Sequence, residues 1–272
     1  MLEFALNHMT APEQDWQSFL NLAADLGCAG VEFRNDLGRP LFEGADPAIV
    51  GQAVRAKGLR FLALAEVKRF NDWSDEKAAE AEALMKIAVA AGAEAISLIP
   101  RNDNVATDRT ESRRVTETAL REILPMLRSY GLKAMVEPLG FEICSLRYKE
   151  VLADAITAVD GQGIYWMVHD TFHHHLAGGG ALFPELTGIV HVSGVVDPTV
   201  AVADMRDPHR VLVDAQDRLG NLAQINGLRV TGYKGPISYE PFAPSVHNLA
   251  DPKAALAESM AYIRQNVASV TA

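Results

Sequence analysis

Hydrophobic positions along the chain fall into eight short runs, which polar or amphipathic stretches separate. Each run is rich in aliphatic, β-branched or aromatic residues, as is typical of buried strands. The eight predicted strands are Leu2–Asn7, Gly30–Arg34, Arg60–Glu66, Ala93–Ile99, Lys133–Leu139, Ile164–Asp170, Gly188–Ser193 and Pro236–Phe242.

Helix start and stop signals fill several of the intervals between these strands. Capping residues or proline open each predicted helix, and glycine follows three of them. The predicted helices run from Thr10 to Gly27, from Ser74 to Ala91, from Thr110 to Tyr130 and from Asp251 to about Val267. Pro125 lies inside the third helix and is expected to kink or divide it. The intervals after the second, fifth, sixth and seventh strands carry weaker helix signals.

Strand followed by helix, repeated eight times in 272 residues, predicts an α/β fold with parallel strands. Eight such units match a closed (β/α)8 TIM barrel, and we expect one barrel domain over residues 1–272. The alternative is an open doubly wound sheet, which requires a glycine-rich turn after the first strand. The first strand here ends in Asn7–His8–Met9–Thr10, without glycine. The segment from Val195 to Gly220 is long and polar, and we expect it to form a loop over the barrel mouth.

Composition excludes several classes of protein. Hydrophobic residues make up 49% of the chain, which is too many for a disordered protein. The net charge of −10 disfavours binding to nucleic acid, and no apolar run is long enough to span a membrane. The N-terminus does not resemble a signal peptide. Two cysteines, Cys28 and Cys144, cannot form a disulfide framework, so we expect a cytoplasmic protein.

Acidic residues and one histidine recur at the ends of four consecutive strands, where barrel enzymes carry their reacting groups. These residues are Glu137, Asp170, His191 and Glu240. Taken singly, Glu137 could be a salt-bridged group and His191 a core histidine. Three carboxylates that converge would repel one another unless a cation lies among them. The pattern therefore predicts one divalent metal ion, namely Mn²⁺, Co²⁺, Zn²⁺ or Mg²⁺, held by these four residues.

Histidines near the strand ends are further candidates for the site. His173 stands three residues after Asp170 and is expected to face the pocket. His169 is the neighbour of Asp170 on a strand, so its side chain should point to the opposite side. His8, at the end of the first strand, is expected to line the pocket and contact substrate.

Two other pairs of residues invite an interpretation. Glu32 and Arg34 alternate on the second strand, and we expect them to form an internal ion pair. Phe70 and Trp73 follow the third strand and could form an apolar wall against substrate. Simple packing beneath a loop is the alternative for both aromatic residues.

Four segments together resemble the xylose isomerase-like barrels, a family that includes sugar-phosphate isomerases and epimerases, ketose 3-epimerases, inosose dehydratase and endonuclease IV. The segments are Val136–Gly140, Val168–His173, Ile189–Ser193 and Ser238–Phe242. Within the family the chain is most similar to the 2-keto-myo-inositol (inosose) isomerases, through Leu62–Leu64, Phe70–Asn71, Asp170–His175 and Asp207–Arg210. The resemblance implies a metal held by the four strand-end residues, with His173 and Arg210 facing the substrate. Residues 211–217 lack the proline and glycine-rich turn frequent in relatives, which leaves the exact sugar open.

The activity that follows from this resemblance is isomerisation of a small keto sugar or inosose through an enediolate. Glu137 and Glu240 would transfer the protons, and His173 and Arg210 would bind substrate oxygens. The same site would serve a ketose 3-epimerase or an inosose dehydratase. An endonuclease IV-like hydrolase would require more histidines on the early strands and a basic groove, and a metal-stabilised binding protein would require no turnover. The sequence leaves the oligomeric state open, including a homo-oligomer.

Overall fold

The computed structural model describes residues 2–267, so that Met1 and residues 268–272 of the predicted domain lie outside the described residues. It contains strands β1 (Phe4–Asn7), β2 (Gly30–Arg34), β3 (Arg60–Lys68), β4 (Ala95–Ile99), β5 (Lys133–Val136), β6 (Tyr165–Asp170), β7 (Thr187–Val192) and β8 (Ile237–Tyr239). The helices are α1 (Trp16–Asp25), α2 (Pro47–Ala56), α3 (Asp75–Ala91), α4 (Arg109–Tyr130), α5 (Lys149–Ala158), α6 (Thr171–Leu176), α7 (Asn221–Val230), α8 (Pro244–His247) and α9 (Pro252–Asn266).

The eight strands form a closed parallel barrel in chain order. Strand β1 pairs with β2 on one side, where Ala5 lies opposite Gly30, and with β8 on the other, where Leu6 lies opposite Tyr239. Closure between the first and last strands confirms the (β/α)8 barrel and excludes the open doubly wound sheet. All eight predicted strands overlap the observed ones, and their carboxyl ends meet at one end of the barrel.

Apolar side chains pack in two layers. A small cluster that includes Leu62, Val168 and Ile189 lies apart from the main core. The main core cluster joins strand residues such as Val31 to helix residues such as Leu120. Because the side chains of a strand alternate between two faces, strands such as β6 and β7 contribute to both layers. The barrel is thereby a rigid support for the residues at its carboxyl end.

The start of helix α1 and the course of helix α4 differ from the prediction. Helix α1 begins after Asp15, whose side chain accepts a hydrogen bond from the Ser18 backbone, whereas Thr10 lies in a short 3-10 turn. An Asp with a free amide three residues ahead is a strong N-cap, and it decides the start of the helix. Helix α4 runs through Pro125 as a single helix of 22 residues, so of the kink and the division that Pro125 predicts, the division does not occur. Buried Ile123, Leu124 and Leu127 attach the helix to the core on both sides of the missing hydrogen bond.

Among residues 2–267, no helix has both the length and the apolar composition that crossing a membrane requires.

Gly51 on α2 lies against the backbone at the end of α3. A Cβ atom built on Gly51 would stand 1.9 Å from the carbonyl oxygen of Ala91. We expect Gly51→Ala to lower the free energy of unfolding by about 1–3 kcal/mol, because backbone atoms cannot move aside easily. Gly227→Ala is the matched control, since its new Cβ would meet only the end of the Leu182 side chain. Denaturant unfolding of both variants checks this, and equal losses would contradict it.

Candidate metal centre and active site

Strands β5 to β8 bring the four predicted ligands together at the carboxyl end of the barrel. Glu137 follows β5, Asp170 ends β6, His191 lies in β7 and Glu240 follows β8. All four are buried, and each offers one ligand atom within 4.8 Å of the others. Successive parallel strands place equivalent positions side by side, which is why four distant segments of the chain converge here.

The His191 ring provides the strongest indication of a cation. Its Nε2 lies 3.1 Å from both carboxylate oxygens of Glu32, which also accepts a hydrogen bond from Ser238 Oγ at 2.6 Å. Nε2 therefore donates a proton to Glu32, and Nδ1 is the ring nitrogen that a metal ion could bind. Within the described residues, Nδ1 has no hydrogen-bond partner and faces Glu240 Oε2 at 3.3 Å and Glu137 Oε1 at 3.8 Å. A ring nitrogen and two carboxylates around one point fit a metal ion.

The titration of His191 reflects the same surroundings. Burial by itself lowers the pKa of His191. The Glu32 and Glu240 carboxylates outweigh that effect and raise the pKa well above its ordinary value. A positive charge at Nδ1 is therefore favoured, and a metal ion would supply that charge without a proton.

The two glutamates of the cluster differ in their hydrogen bonds. Glu240 Oε1 accepts from Arg34 at 2.7 Å and from Asn7 at 3.1 Å, while Oε2 accepts from Arg210 at 3.1 Å. Among the described residues, the nearest polar partner of Glu137 is the His191 ring nitrogen at 3.8 Å. Glu240 is therefore fixed in orientation and charge, whereas the Glu137 carboxylate is free to take up a proton.

The pKa values of the two glutamates separate in the same direction. Burial and the negative charge of Glu240 raise the pKa of Glu137 to about 7. Burial also acts on Glu240, but His191, Arg210 and Arg34 hold its pKa well below the ordinary value. Two carboxyl groups with opposite shifts in one site are typical of an acid–base pair.

Arg210 reaches the site from the long segment between β7 and α7. Its side chain is fully buried, binds Asp170 Oδ2 at 2.6 Å and Ser193 Oγ at 3.0 Å, and lies over the Phe242 ring at 4.5 Å. The Arg210 charge lowers the pKa of Asp170 against the effect of burial. The predicted loop from Val195 to Gly220 is thus the element that completes the site.

A cavity of about 410 Å³ opens above the cluster and is lined by Glu137, Glu240, His173 and Arg210, among others. This volume is typical of sites for small molecules. A different cavity, of about 320 Å³, is lined by Trp166 and Lys133 and includes none of the four predicted ligands. The candidate active site is therefore the cavity at the carboxyl end.

His173 faces the cavity and His169 faces away from it, as their positions in the sequence predict. His173 lines the cavity, and its ring lies 5.1 Å from that of Phe141. Burial is the largest cause of a lowered pKa at His173, which favours the neutral ring. His169 points away and donates from Nε2 to Gln224 Oε1 at 2.9 Å, while its Nδ1 contacts Lys149. These contacts give His169 a structural position behind the site.

Two residues predicted to contact substrate do not reach the cavity. The His8 ring stacks on Phe19 at 4.2 Å, and its Nε2 lies 3.0 Å from the Gln14 carbonyl oxygen. Phe70 is fully buried in the main core, and Trp73 packs partly buried against the same core. Both corrections have one cause, because a residue beyond a strand end can turn outward to the helix layer instead of inward.

Charged residues on β2 and β3 form part of the site that the sequence reading missed. Arg34 pairs with Asp36 at 2.8 Å and with Glu66 at 3.5 Å, and Lys68 pairs with Glu66 at 3.0 Å. All four line the cavity. The expected ion pair between Arg34 and Glu32 does not form, because Glu32 binds His191 one layer deeper. Applying the strand-end rule to β2 and β3 would have found Arg34 and Glu66.

The chain is similar to solved barrel structures over nearly its whole length. A xylose isomerase domain containing protein from Salmonella typhimurium is 27% identical, with a TM-score of 0.87 over 97% of this chain and 96% of that one. The IolI protein, whose structure contains a bound zinc atom, is 18% identical, with a TM-score of 0.88 over 99% of this chain and all of the other. A 3-keto-D-glucoside 4-epimerase from E. coli is 15% identical, with a TM-score of 0.69 over 97% of this chain and 100% of that one.

The two more distant structures, which are less than 25% identical, support the fold alone. No curated protein sequence matches the chain. The family model described as "Xylose isomerase-like TIM barrel" matches residues 20–266, which is most of the sequence. Together with the closed barrel and the four converging strand ends, this match shows that the chain belongs to the xylose isomerase-like TIM barrel family.

Proposed function

We propose that this protein is a metal-dependent isomerase of a neutral keto sugar, and that 2-keto-myo-inositol (inosose) is the first candidate substrate. The observation that carries the proposal is the position of His191 Nδ1, which faces Glu137 and Glu240 without a hydrogen-bond partner in the described part of the chain. Glu137, Asp170, His191 and Glu240 would hold one divalent ion, for which Zn²⁺, Mn²⁺, Co²⁺ and Mg²⁺ are the candidates. The zinc atom in the structurally similar IolI protein supports the presence of a metal ion in a barrel of this fold.

A bound divalent ion would polarise a carbonyl group and make the adjacent C–H bond more acidic. Glu137 stands beside that position with no hydrogen bond to restrain its carboxylate, so it is suited to move the proton. Glu240 is the second proposed catalytic carboxylate, oriented by Arg34, Asn7 and Arg210. The two groups can act on neighbouring carbons, which is what the shift of a ketone along a ring requires.

Two more residues are proposed to hold the substrate. His173 lines the cavity with a neutral ring and a buried Nδ1 that has no hydrogen-bond partner among residues 2–267. Arg210 lies at the boundary between the ligand cluster and the cavity. Such groups fit the hydroxyl groups of a polyol, which donate and accept hydrogen bonds, and its carbonyl oxygen, which accepts them.

The charge of the cavity favours an uncharged substrate. Five acidic side chains line it, namely Asp36, Glu66, Glu137, Asp207 and Glu240, against four basic ones, namely Arg34, Lys68, Arg69 and Arg210. The basic groups are paired with carboxylates, as Lys68 is with Glu66. A phosphate group would need a surplus of basic donors. The lining therefore supports a neutral polyol over a sugar phosphate or a nucleic acid backbone.

An epimerase is the second candidate, because removal of a proton beside a ketone can be followed by its return to either face. The structural neighbours named as a 3-keto-D-glucoside 4-epimerase and a D-psicose 3-epimerase support it. Inosose dehydratase chemistry would use the same carboxylates with loss of a β-hydroxyl group. The products distinguish the three reactions.

The test is an NMR assay in D₂O with inososes, ketohexoses and 3-keto-glucosides, using protein loaded with each candidate metal. We expect deuterium at a carbon beside the ketone and a new ketone position for at least one inosose. A changed configuration at one carbon would identify an epimerase, and an enone would identify a dehydratase. Metal-free protein is the control. Absence of deuterium from every compound, with metal bound, would leave a binding protein without turnover and would overturn the proposal.

A further inference from the structure

We propose that the site also accepts keto-polyol rings that carry an uncharged apolar substituent and prefers them to the unsubstituted ring, and that this substituent occupies a second chamber beside the candidate active site. The second chamber is defined by Phe141, Ile143, Leu176, Val202 and Ala203, with other residues between them. The inference rests on the proposed function and specifies the substrate class that the same site takes.

The second chamber adjoins the first cavity. Its volume is about 510 Å³, larger than the 410 Å³ above the ligand cluster. Asn102, Phe141 and Asp207 line both spaces, so the two lie side by side and no more than these side chains stands between them at that point. A single polyol ring bound at the carboxylate cluster would leave the second chamber to water. A substrate extended by a second group would fill both.

The walls of the second chamber indicate what that group is. Ile143 is 44% exposed and Val202 41% exposed, and they belong to two different segments, the connection from β5 to α5 and the long segment after β7. Large aliphatic side chains that stay exposed around one concave space mark a binding surface. The charged lining residues are Glu142, Arg147, Arg206 and Asp207, whose formal charges cancel. The balanced charges favour an uncharged group, and Phe141, Ile143, Leu176 and Val202 offer it apolar surface to pack against.

Phe141 lies at the junction of the two spaces. Its ring contacts the His173 ring at 5.1 Å on one side and lies 5.8 Å from the Arg206 guanidinium on the other. An aromatic group can pack against such a ring with a favourable geometry. A substituent joined to the polyol through a glycosidic or ether oxygen would extend past Phe141 into the second chamber. The polyol ring would stay near the ligand cluster.

The test compares methyl and phenyl 3-keto-β-D-glucosides, which share one keto ring and differ only in the substituent. In the metal-loaded wild-type protein we expect kcat/KM for deuterium exchange to be about tenfold or more higher for the phenyl compound. Ala203→Trp places a large side chain in the second chamber at an exposed position and should reduce the ratio to about one. Ala79→Trp, at an exposed site on α3, is the matched control and should keep the wild-type ratio.

The outcomes separate the two proposals. Equal kcat/KM for both glucosides in the wild-type protein, or an unchanged ratio in Ala203→Trp, overturns the proposal that a substituent occupies the second chamber. Neither result contradicts the proposed isomerase or epimerase activity. No exchange with either glucoside or with any inosose overturns both. If sedimentation shows the wild-type protein as a dimer and Ala203→Trp as a monomer, another copy of the chain covers the chamber, and this result also overturns the inference.

Discussion

Replacing Glu137 by glutamine will lower the rate of deuterium exchange into the substrate by about 10²–10⁴-fold, the usual contribution of a general base. The structure gives the reason, because among the described residues Glu137 lacks a hydrogen-bond donor within ordinary distance, while Glu240 is held by three. The amide has nearly the shape of the carboxylate and retains an oxygen that can ligate. The exchange rate is measured by NMR at saturating metal, with the bound metal quantified in each sample.

Glu258→Gln is the control for this experiment, since Glu258 is exposed on α9 and does not line the cavity. It should retain the wild-type exchange rate and metal content. If Glu137→Gln binds metal at full stoichiometry and still exchanges the substrate proton at more than about a tenth of the wild-type rate, another group is the base. Glu240 would then be the first residue to examine, despite its three hydrogen bonds.

The barrel could be predicted from the sequence because its signals are local. Each strand is a short apolar run, and helix α3 carries both a serine cap, Ser74, and a left-handed Gly92 at its end. The prediction failed where two local signals compete, as between Thr10 and Asp15 for the start of α1. The division expected at Pro125 does not occur either, because buried side chains on both sides of the proline pack the helix on the core.

The ligand cluster could also be predicted from the sequence. The carboxyl ends of the strands in a parallel barrel lie at one end of it, and the order of the strands determines which strand-end residues are neighbours. Side-chain direction beyond a strand end has no such rule. His8 and Phe70 were assigned to the cavity from their position along the chain, yet both pack in the helix layer or core. Arg34 and Glu66 were missed for the converse reason, because charged residues on strands are commonly solvent-exposed and only the closed barrel turns these two inward.

Glu32 shows best how the fold prepares the site. It is buried and lies one layer below the ligand cluster. Among the described residues of that cluster, it contacts His191 alone. Ser238 fixes one of its oxygens at 2.6 Å. A carboxylate behind a ligating histidine holds the ring in one orientation and increases the electron density at the other nitrogen. We therefore place Glu32 as a positioning residue for His191 Nδ1.

Glu32→Gln is accordingly expected to weaken metal binding by about 10–100-fold, because the amide keeps the size of the carboxylate but loses its charge. Competition with a chromophoric chelator measures the dissociation constant, and ¹⁵N NMR of the histidine rings reports whether Nε2 of His191 still carries the proton. Glu66→Gln is the matched control: Glu66 is also a buried carboxylate near the cavity, but its partners are Arg34 and Lys68, so metal affinity should change little. Equal affinities in Glu32→Gln and the wild-type protein, with the His191 proton unmoved, would mean that the barrel backbone alone orients the imidazole.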